Sequence, residues 1–260
     1  MNTKPIELSL VVRGLKKEFR AGPKSVAALR GIDLTVAKGD FFAIIGPSGS
    51  GKSTLLHLSA GLESPTAGEI EVSGKKIAAL SDYELTLFRR SNIGLVFQAY
   101  NLIPTLTMEE NVMLPLLADG AVNDASLKRI DELLELLKIS DLKGRYPDAM
   151  SGGEQQRTAI ARALSTNPDV LFADEPTGNL DSENSRIICE RLKALCETQS
   201  RTIIMVTHEP IIAAWAKRVV VLQDGRITGS IDTNDSQSVR TLTDEYYNLL
   251  TRSRSSGAQA

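Results

Sequence analysis

The 260-residue sequence has no excess of charge of one sign, since 30 Lys and Arg stand against 32 Asp and Glu. The formal charge of -2 provides no bulk attraction to a phosphate backbone, so nucleic acid is not an expected partner. Cysteine and histidine are scarce, with two of each. Cys189 and Cys196 lie in a predicted helix without a Cys-x-x-Cys pair, which argues against a zinc site or disulfide framework and indicates ordinary helix packing.

Long apolar runs are also absent. No stretch approaches the roughly 20 residues needed to cross a bilayer, and the opening residues 1–5 lack the apolar core of a signal peptide. We therefore expect this chain on its own to stay in the cytoplasm. No internal repeat occurs, and the polar end at 252–260 is expected to remain unordered because it cannot bury enough surface.

The composition that is present, 42% hydrophobic and 24% charged residues, is that of an ordinary globular protein. Short apolar runs separated by turns predict strands early in the chain. These runs are 7–12, 31–36, 41–45 and 69–72. From about residue 82 to residue 142 the apolar residues recur at helical spacing instead, which predicts an inserted helical subdomain. One helix face there consists of Leu127, Ile130, Leu133, Leu134 and Leu137.

Later apolar runs at 170–173 and 203–206 are hydrophobic on both faces, as buried parallel strands are. They alternate with helical stretches, so the core is predicted to be α/β. Asp224-Gly225 predicts a hairpin joining 219–222 to Ile227. Apolar residues between 242 and 250 predict one short amphipathic helix.

A glycine-rich segment fits the phosphate-loop pattern G-x-x-x-x-G-K-[ST], directly after a predicted strand and before a predicted helix. In such loops backbone N–H groups surround phosphates, Lys52 reaches the terminal phosphates and the Ser53 hydroxyl ligates Mg²⁺. A merely glycine-rich turn is the alternative, which the strand and helix on either side disfavour. The predicted phosphate-binding residues are Gly46, Pro47, Ser48, Gly49, Ser50, Gly51, Lys52, Ser53 and Thr54.

Two carboxylates, Asp174 and Glu175, follow the buried strand at 170–173. Asp174 is predicted to hold Mg²⁺ together with Ser53, and Glu175 to polarise a water as general base. Acidic residues after a strand are also common helix caps, so this feature alone supports a capping role and a catalytic role equally.

A second helix start that favours anions occurs at Ser151-Gly152-Gly153-Glu154-Gln155. One nucleotide cannot occupy two such sites in one chain unless they are adjacent. This segment is therefore either a simple cap or a contact for the nucleotide of another molecule.

Taken together, these motifs resemble those of the ATP-binding subunit of ABC transporters, over almost the whole chain. The resemblance implies an α/β fold, the P-loop NTPase ABC ATPase fold, with a RecA-like mixed sheet core, an N-terminal antiparallel β subdomain and an inserted helical subdomain at about 85–160. It places the ABC ATPase domain at 6–233 and a short helix with a flexible tail at 234–260. ATP and Mg²⁺ are the implied cofactors.

The resemblance also implies further site residues. Gln98 is the implied switch glutamine and metal ligand, His208 the switch histidine and Asp181 a residue of the dimer loop 179–181. Phe19 stands where the family usually has an adenine-stacking Tyr, and keeps the aromatic face without the hydroxyl. The implied nucleotide contacts are Phe19, Ser151, Gly152, Gly153, Gln155 and Asp181, and the implied catalytic residues are Glu175, His208 and Gln98.

Simpler interpretations remain for several of these residues: a solvated loop residue for Gln98, a core histidine for His208 and a helix cap for Asp181. His57 is expected to be structural. Independently of the family, Gly46, Gln98, Asp174 and His208 each follow an apolar strand-like run. Because ligands of parallel sheets bind beyond the carboxyl ends of the strands, these four residues are expected to converge.

The motif 173–181 and the segment 97–107 are similar to the branch of lipoprotein-release, macrolide-efflux and cell-division ATPases. Met150 and Glu209 depart from the family pattern without removing a reactive group. The resemblance implies two partners. One is a second copy of the chain, bound head to tail in the presence of ATP. The other is a membrane permease, which the segment 98–115 would contact at the cytoplasmic face of the inner membrane. A purely signalling complex, a soluble ABC protein of translation or repair, and a GTPase are the alternatives.

Overall fold

The computed structural model describes residues 7–22, 24–233 and 239–257. The strands are β1 Leu8–Ala21, β2 Lys24–Ala37, β3 Phe41–Ile45, β4 Ala67–Val72, β5 Lys75–Lys76, β6 Ile93–Val96, β7 Val170–Asp174, β8 Thr202–Thr207, β9 Arg218–Gln223 and β10 Arg226–Asp232. The α-helices are α1 Lys52–Ser59, α2 Asp82–Asn92, α3 Met108–Ala118, α4 Asp124–Leu136, α5 Gly152–Leu164, α6 Ser182–Gln199, α7 Pro210–Ala213 and α8 Val239–Gly257.

A six-stranded sheet in the order β10-β9-β3-β8-β7-β6 forms the centre of the fold. Strands β9, β3, β8, β7 and β6 pair in parallel, and β10 pairs antiparallel with β9 as the predicted hairpin. Every residue of β3 and β8 is buried, as expected for strands covered on both faces. The carboxyl ends of β3, β8, β7 and β6 therefore lie side by side along one edge.

A second, four-stranded antiparallel sheet has the order β2-β1-β4-β5. Side chains of the central strands alternate between two cores. Phe42 and Ile44 belong to the core shared with β1, β2 and α1, while Phe41, Ala43 and Ile45 belong to the core shared with α3 to α6. The antiparallel sheet is thereby packed over the start of α1, next to the predicted phosphate loop.

Helices α2 to α5 lie between β5 and β7 in the chain, interrupted by the short strand β6. Each of these four helices begins with a capping box, in which an N-cap side chain and the third helical residue bond each other's backbone. The N-cap residues are Ser81, Thr107, Asn123 and Ser151. The helical insertion is thus observed, and the division at 85–160 stays a prediction.

Some expectations from the sequence differ from the structure. Strands β1 and β2 are each 14 residues long and extend well beyond the predicted runs, because they pair with each other along their length. Leu127, predicted on the apolar face of α4, is 39% exposed. The final helix α8 has 19 residues and continues to Gly257, into the end expected to be unordered. Buried Leu242 and Tyr246 dock its first half, and helices propagate easily once started.

Residues 234–238 and 258–260 of the predicted C-terminal segment lie outside the described residues. Among the described helices, none is both long enough and apolar enough to cross a membrane.

Cys189 and Cys196 are buried in α6, and burial raises the pKa of each thiol to about 12. The two cysteines therefore pack as apolar residues, as predicted.

Candidate nucleotide-binding site

The phosphate loop connects the end of β3 to the first residue of α1, and its glycines are required by its shape. A Cβ on Gly46 would lie 2.0 Å from the carbonyl oxygen of Leu222, and Gly49 has a φ of +77°. Gly51, also at positive φ, approaches the Ala28 carbonyl of β2 so closely that its Cβ would lie 2.7 Å away. The hydroxyl of Ser50 is buried in the loop and has no hydrogen-bond partner among the residues that the structure describes. These features fit a loop that receives phosphate oxygens.

Lys52, the first residue of α1, is only 5% exposed. Its Nζ donates to the carbonyl oxygens of Gly46 and Pro47, at 2.9 and 3.0 Å, so the ammonium group is folded onto its own loop. Burial lowers the pKa of Lys52, and the nearby carboxylates of Glu175 and Asp174 oppose this shift. A phosphate oxygen carries a full charge and is a stronger acceptor than these carbonyls.

Asp174 ends β7 and faces α1. Its Oδ1 accepts a 2.9 Å hydrogen bond from the Ser53 hydroxyl. Burial raises the pKa of Asp174, while the Ser53 hydrogen bond and the neighbouring His57 act in the opposite direction. A carboxylate and a hydroxyl in contact are oxygen donors of the kind that Mg²⁺ prefers, so these residues fit the predicted metal site.

Glu175 follows Asp174 with a φ of +45°, a backbone conformation that costs energy for a residue other than glycine. Its amide donates to the carbonyl of Val206 in β8. Its Oε2 lies 3.1 Å from Nδ1 of His208, the residue that follows β8. The predicted general base and the predicted switch histidine therefore contact each other through their side chains.

Gln98 follows β6 and contacts the loop before α6. Its Nε2 donates to Oδ1 of Asn179 at 3.3 Å, and the Asn179 side chain donates in return to the Gln98 carbonyl at 2.9 Å. Gly178 leaves room for this contact, because a Cβ there would lie 2.8 Å from Gln98 Nε2. The strand ends thus meet as predicted, and Gln98 bonds Asn179 in this conformation.

Asp181 is the N-cap of α6. Its carboxylate accepts from the backbone and side-chain amides of Asn184, at 2.9 and 2.8 Å, and these bonds lower its pKa. The capping interpretation of Asp181 is therefore correct, and its contact with nucleotide stays a prediction.

The segment Ser151–Gln155 forms the start of α5. The Ser151 hydroxyl accepts from the Glu154 amide, the Glu154 carboxylate accepts from the Ser151 amide, and Gln155 donates to the carbonyl of Met150. In the described part of the chain, no hydrogen bond joins this segment to the phosphate loop. Ser151, Gly152, Gly153 and Gln155 are thus not brought together with Lys52 by such bonds.

Phe19 of β1 is 40% exposed and pairs with Val26 of β2. Two residues further along β2, Ala28 contacts Gly51 of the phosphate loop, so the exposed ring lies on the strands that border the loop. Nζ of Lys17 is 4.9 Å from the centre of the Phe19 ring, a cation–π contact. An aromatic face near the loop is suited to stacking on a base.

Three side-chain contacts near this site were not predicted from the sequence, although Asn179 was placed in the dimer loop and His57 was expected to be structural. His57 Nε2 lies 3.4 Å from Asp174 Oδ2, Asn179 bonds Gln98, and Gln156 donates from α5 to the Pro176 carbonyl at 2.6 Å. The only signal for His57 is its position four residues after Ser53, which places both on one face of α1. The partners of Asn179 and Gln156 are distant in sequence and carried no signal.

Comparison with known proteins identifies related chains. The family model described as ABC transporter matches residues 29–178. The lipoprotein-releasing system ATP-binding protein LolD 1 of Rhodopseudomonas palustris is 43% identical over 222 residues, which are 85% of this chain and 98% of that protein. The macrolide export ATP-binding/permease protein MacB of Photorhabdus laumondii is 41% identical over 230 residues, 88% of this chain and 35% of that protein.

A solved structure of a dimeric ATP-binding cassette of Methanocaldococcus jannaschii, in a post-hydrolysis state with ADP and Pi, has a TM-score of 0.79. It is 38% identical to this chain and covers 86% of it, and the match covers 99% of that chain. The chain belongs to the ABC transporter family and is one of its ATP-binding, ATP-hydrolysing cassettes.

Proposed function

We propose that two copies of this chain close head to tail around two ATP molecules, and that this closure drives a conformational change in a membrane permease. The proposal rests on the observation that two parts of the site are separate from each other within one chain. The phosphate loop and the Ser151 helix start are both formed, yet the hydrogen bonds of the described residues do not connect them. The dimeric state of the related cassette supports the same arrangement.

In this proposal the loop Gly46–Ser53 surrounds the phosphates, and Lys52 exchanges its two carbonyl acceptors for phosphate oxygens. Ser53, Asp174 and Gln98 hold Mg²⁺, which supplies positive charge against the phosphate oxygens. Phe19 stacks on the adenine. The partner copy's helix start, with Ser151 and Gly153, faces the γ-phosphate with the positive end of the α5 helix dipole.

Glu175 is the proposed general base, which accepts a proton from the attacking water. The contact between Glu175 Oε2 and His208 Nδ1 fixes the direction of this carboxylate. A base held in place before the reaction needs no reorientation during it. The side chain of Glu175 is 20% exposed, so a water molecule has access to it.

The segment 98–115 is the proposed contact for the permease. Ile103 is 37% exposed there, and the turn around it is held by Asn111, which is fully buried and bonds the backbone at Ile103 and Leu106. A rigid turn that presents an apolar side chain suits a helix from a membrane protein. Through this contact the chain would associate peripherally with the cytoplasmic face of a membrane, and isolation of the complex from native membranes identifies the permease.

The experiment that tests the proposal replaces Glu175 by Gln. ATP should still bind, hydrolysis should fall by at least a hundredfold, and a dimer should accumulate with ATP in size-exclusion chromatography with light scattering. Glu132→Gln, an exposed site on α4, is the matched control and should hydrolyse ATP like the unchanged protein. Turnover by Glu175→Gln at the unchanged rate, or a monomer at saturating ATP, would contradict the proposal.

A further inference from the structure

His57 lies one helical turn after Ser53 on α1, so both side chains face the end of β7. The two residues approach different oxygens of the same carboxylate. Ser53 Oγ donates to Asp174 Oδ1 at 2.9 Å, and His57 Nε2 lies 3.4 Å from Asp174 Oδ2. Ser53 and His57, on one face of α1, therefore approach both oxygens of the Asp174 carboxylate.

The Nε2 atom of His57 is itself buried and has no hydrogen-bond partner within the described structure. Buried polar atoms in folded proteins nearly always have a partner. Oδ2 of Asp174 lies 3.4 Å away, within ion-pair distance, and a small change in the distance and direction of this contact makes it the acceptor. Packing alone does not explain a histidine at this position, since an aliphatic side chain would fill the same space without burying an unpaired nitrogen.

We propose that His57 is a positioning residue for Asp174, donating from Nε2 to Oδ2 and thereby fixing the plane of the carboxylate that faces Ser53 and the Mg²⁺ site. In this scheme His57 contacts neither the nucleotide nor the attacking water, and it acts only through Asp174. The inference rests on the proposed role of Asp174 as metal ligand. When a group that hydrogen-bonds a metal-ligating side chain is removed, the affinity for the metal typically falls by about 10- to 100-fold.

Two substitutions separate the hydrogen bond from the packing of the side chain. His57→Leu fills the space without a donor, whereas His57→Gln places an amide N–H near the position of Nε2. We measure the affinity for a fluorescent ATP analogue with Mg²⁺ and with EDTA, and the Mg²⁺ concentration that gives half-maximal ATPase activity. Thermal unfolding of each variant verifies that it is folded.

His57→Leu should raise the half-maximal Mg²⁺ concentration about tenfold and weaken binding of the analogue in Mg²⁺, with its affinity in EDTA unchanged. His57→Gln should restore most of the Mg²⁺ response. An unchanged Mg²⁺ response in His57→Leu overturns the inference. So does an equal loss of affinity in Mg²⁺ and EDTA, or a His57→Gln variant as impaired as His57→Leu.

Asp174→Asn distinguishes failure of this inference from failure of the proposed function. If Asp174→Asn alters the Mg²⁺ response and His57→Leu does not, only the role of His57 is wrong. If neither substitution alters it, the metal site at Asp174 is wrong and the inference falls with it.

Discussion

At the scale of single residues, the site depends on contacts that leave no room for other side chains. Gly46 lies against the Leu222 carbonyl of β9, and Gly178 lies against the Gln98 side chain. Lys52 is held by two carbonyls of its own loop. Gly46 and Lys52 were predicted from the phosphate-loop motif. The reason for Gly46, however, is a contact with a strand 176 residues later in the chain, which no local pattern contains.

The contact of Gly46 leads to a stability prediction. In Gly46→Ala the new Cβ would lie 2.0 Å from a backbone oxygen, so either the loop or β9 must move. We expect a loss of about 2 kcal/mol in the free energy of unfolding, measured by urea denaturation, together with weaker ATP binding. Gly144→Ala is the control, since a Cβ there has nothing within 4 Å, and it should be neutral. Equal stability of the two variants would refute this account of the loop.

At the scale of secondary structure elements, helix starts and strand ends carry the site. Four parallel strands deliver Gly46, Gln98, Asp174 and His208 to one edge, and that convergence follows from alternation of apolar runs with helices. Which side chains then bond each other was not predictable. Gln98 bonds Asn179, and His57 lies 3.4 Å from Asp174; both pairs join distant parts of the chain, and their geometry is set by packing rather than by spacing along the chain.

Helix α6 gives a prediction on pH dependence. The two bonds from Asn184 lower the pKa of Asp181 below its ordinary value of 3.8, so the charged cap favours the folded state above that value. This stabilisation is lost as the pH falls through the lowered pKa. Asp181→Ala should therefore have a lower urea midpoint than the unchanged protein at pH 7, and the difference should shrink as the pH falls below the ordinary value.

Asp181→Asn is the matched control, because asparagine caps a helix with a neutral oxygen. It should keep most of the stability at neutral pH and lose the acid dependence that Asp181 contributes. A difference between Asp181→Ala and the unchanged protein that is the same at every pH would show that the charge of the cap plays no part.

At the scale of the whole molecule, apolar periodicity predicted the α/β core and the helical insertion, and motifs of fixed spacing indicated the family. The separate antiparallel sheet was implied only by the resemblance to that family. The lengths of β1, β2 and α8 were underestimated, since these elements are extended by pairing and docking with distant parts of the chain. The proposed division of the nucleotide site between two copies also belongs to this scale. It depends on contact between the surfaces of two copies, and it leads to a prediction about dimers formed from two different variants.

Two inactive chains should complement each other if each site is shared. In a background of Glu175→Gln, one chain carries Lys52→Ala and the other Ser151→Arg, which fills the helix start with a bulky side chain. Each chain alone forms no complete site. In a mixed head-to-tail dimer, the second chain's phosphate loop meets the first chain's intact Ser151. With random pairing, half of the dimers are mixed and one of their two sites is complete, so about a quarter of the sites should retain ATP.

ATP retained after gel filtration measures this directly, because trapped nucleotide elutes with the dimer. The mixture should retain nucleotide that neither variant retains alone, and the amount should be greatest at equal proportions of the two chains. If each site were built within one chain, every site in the mixture would carry one of the two substitutions and none would be complete. Retention by the mixture no greater than by the separate variants would therefore assign both halves of the site to a single copy.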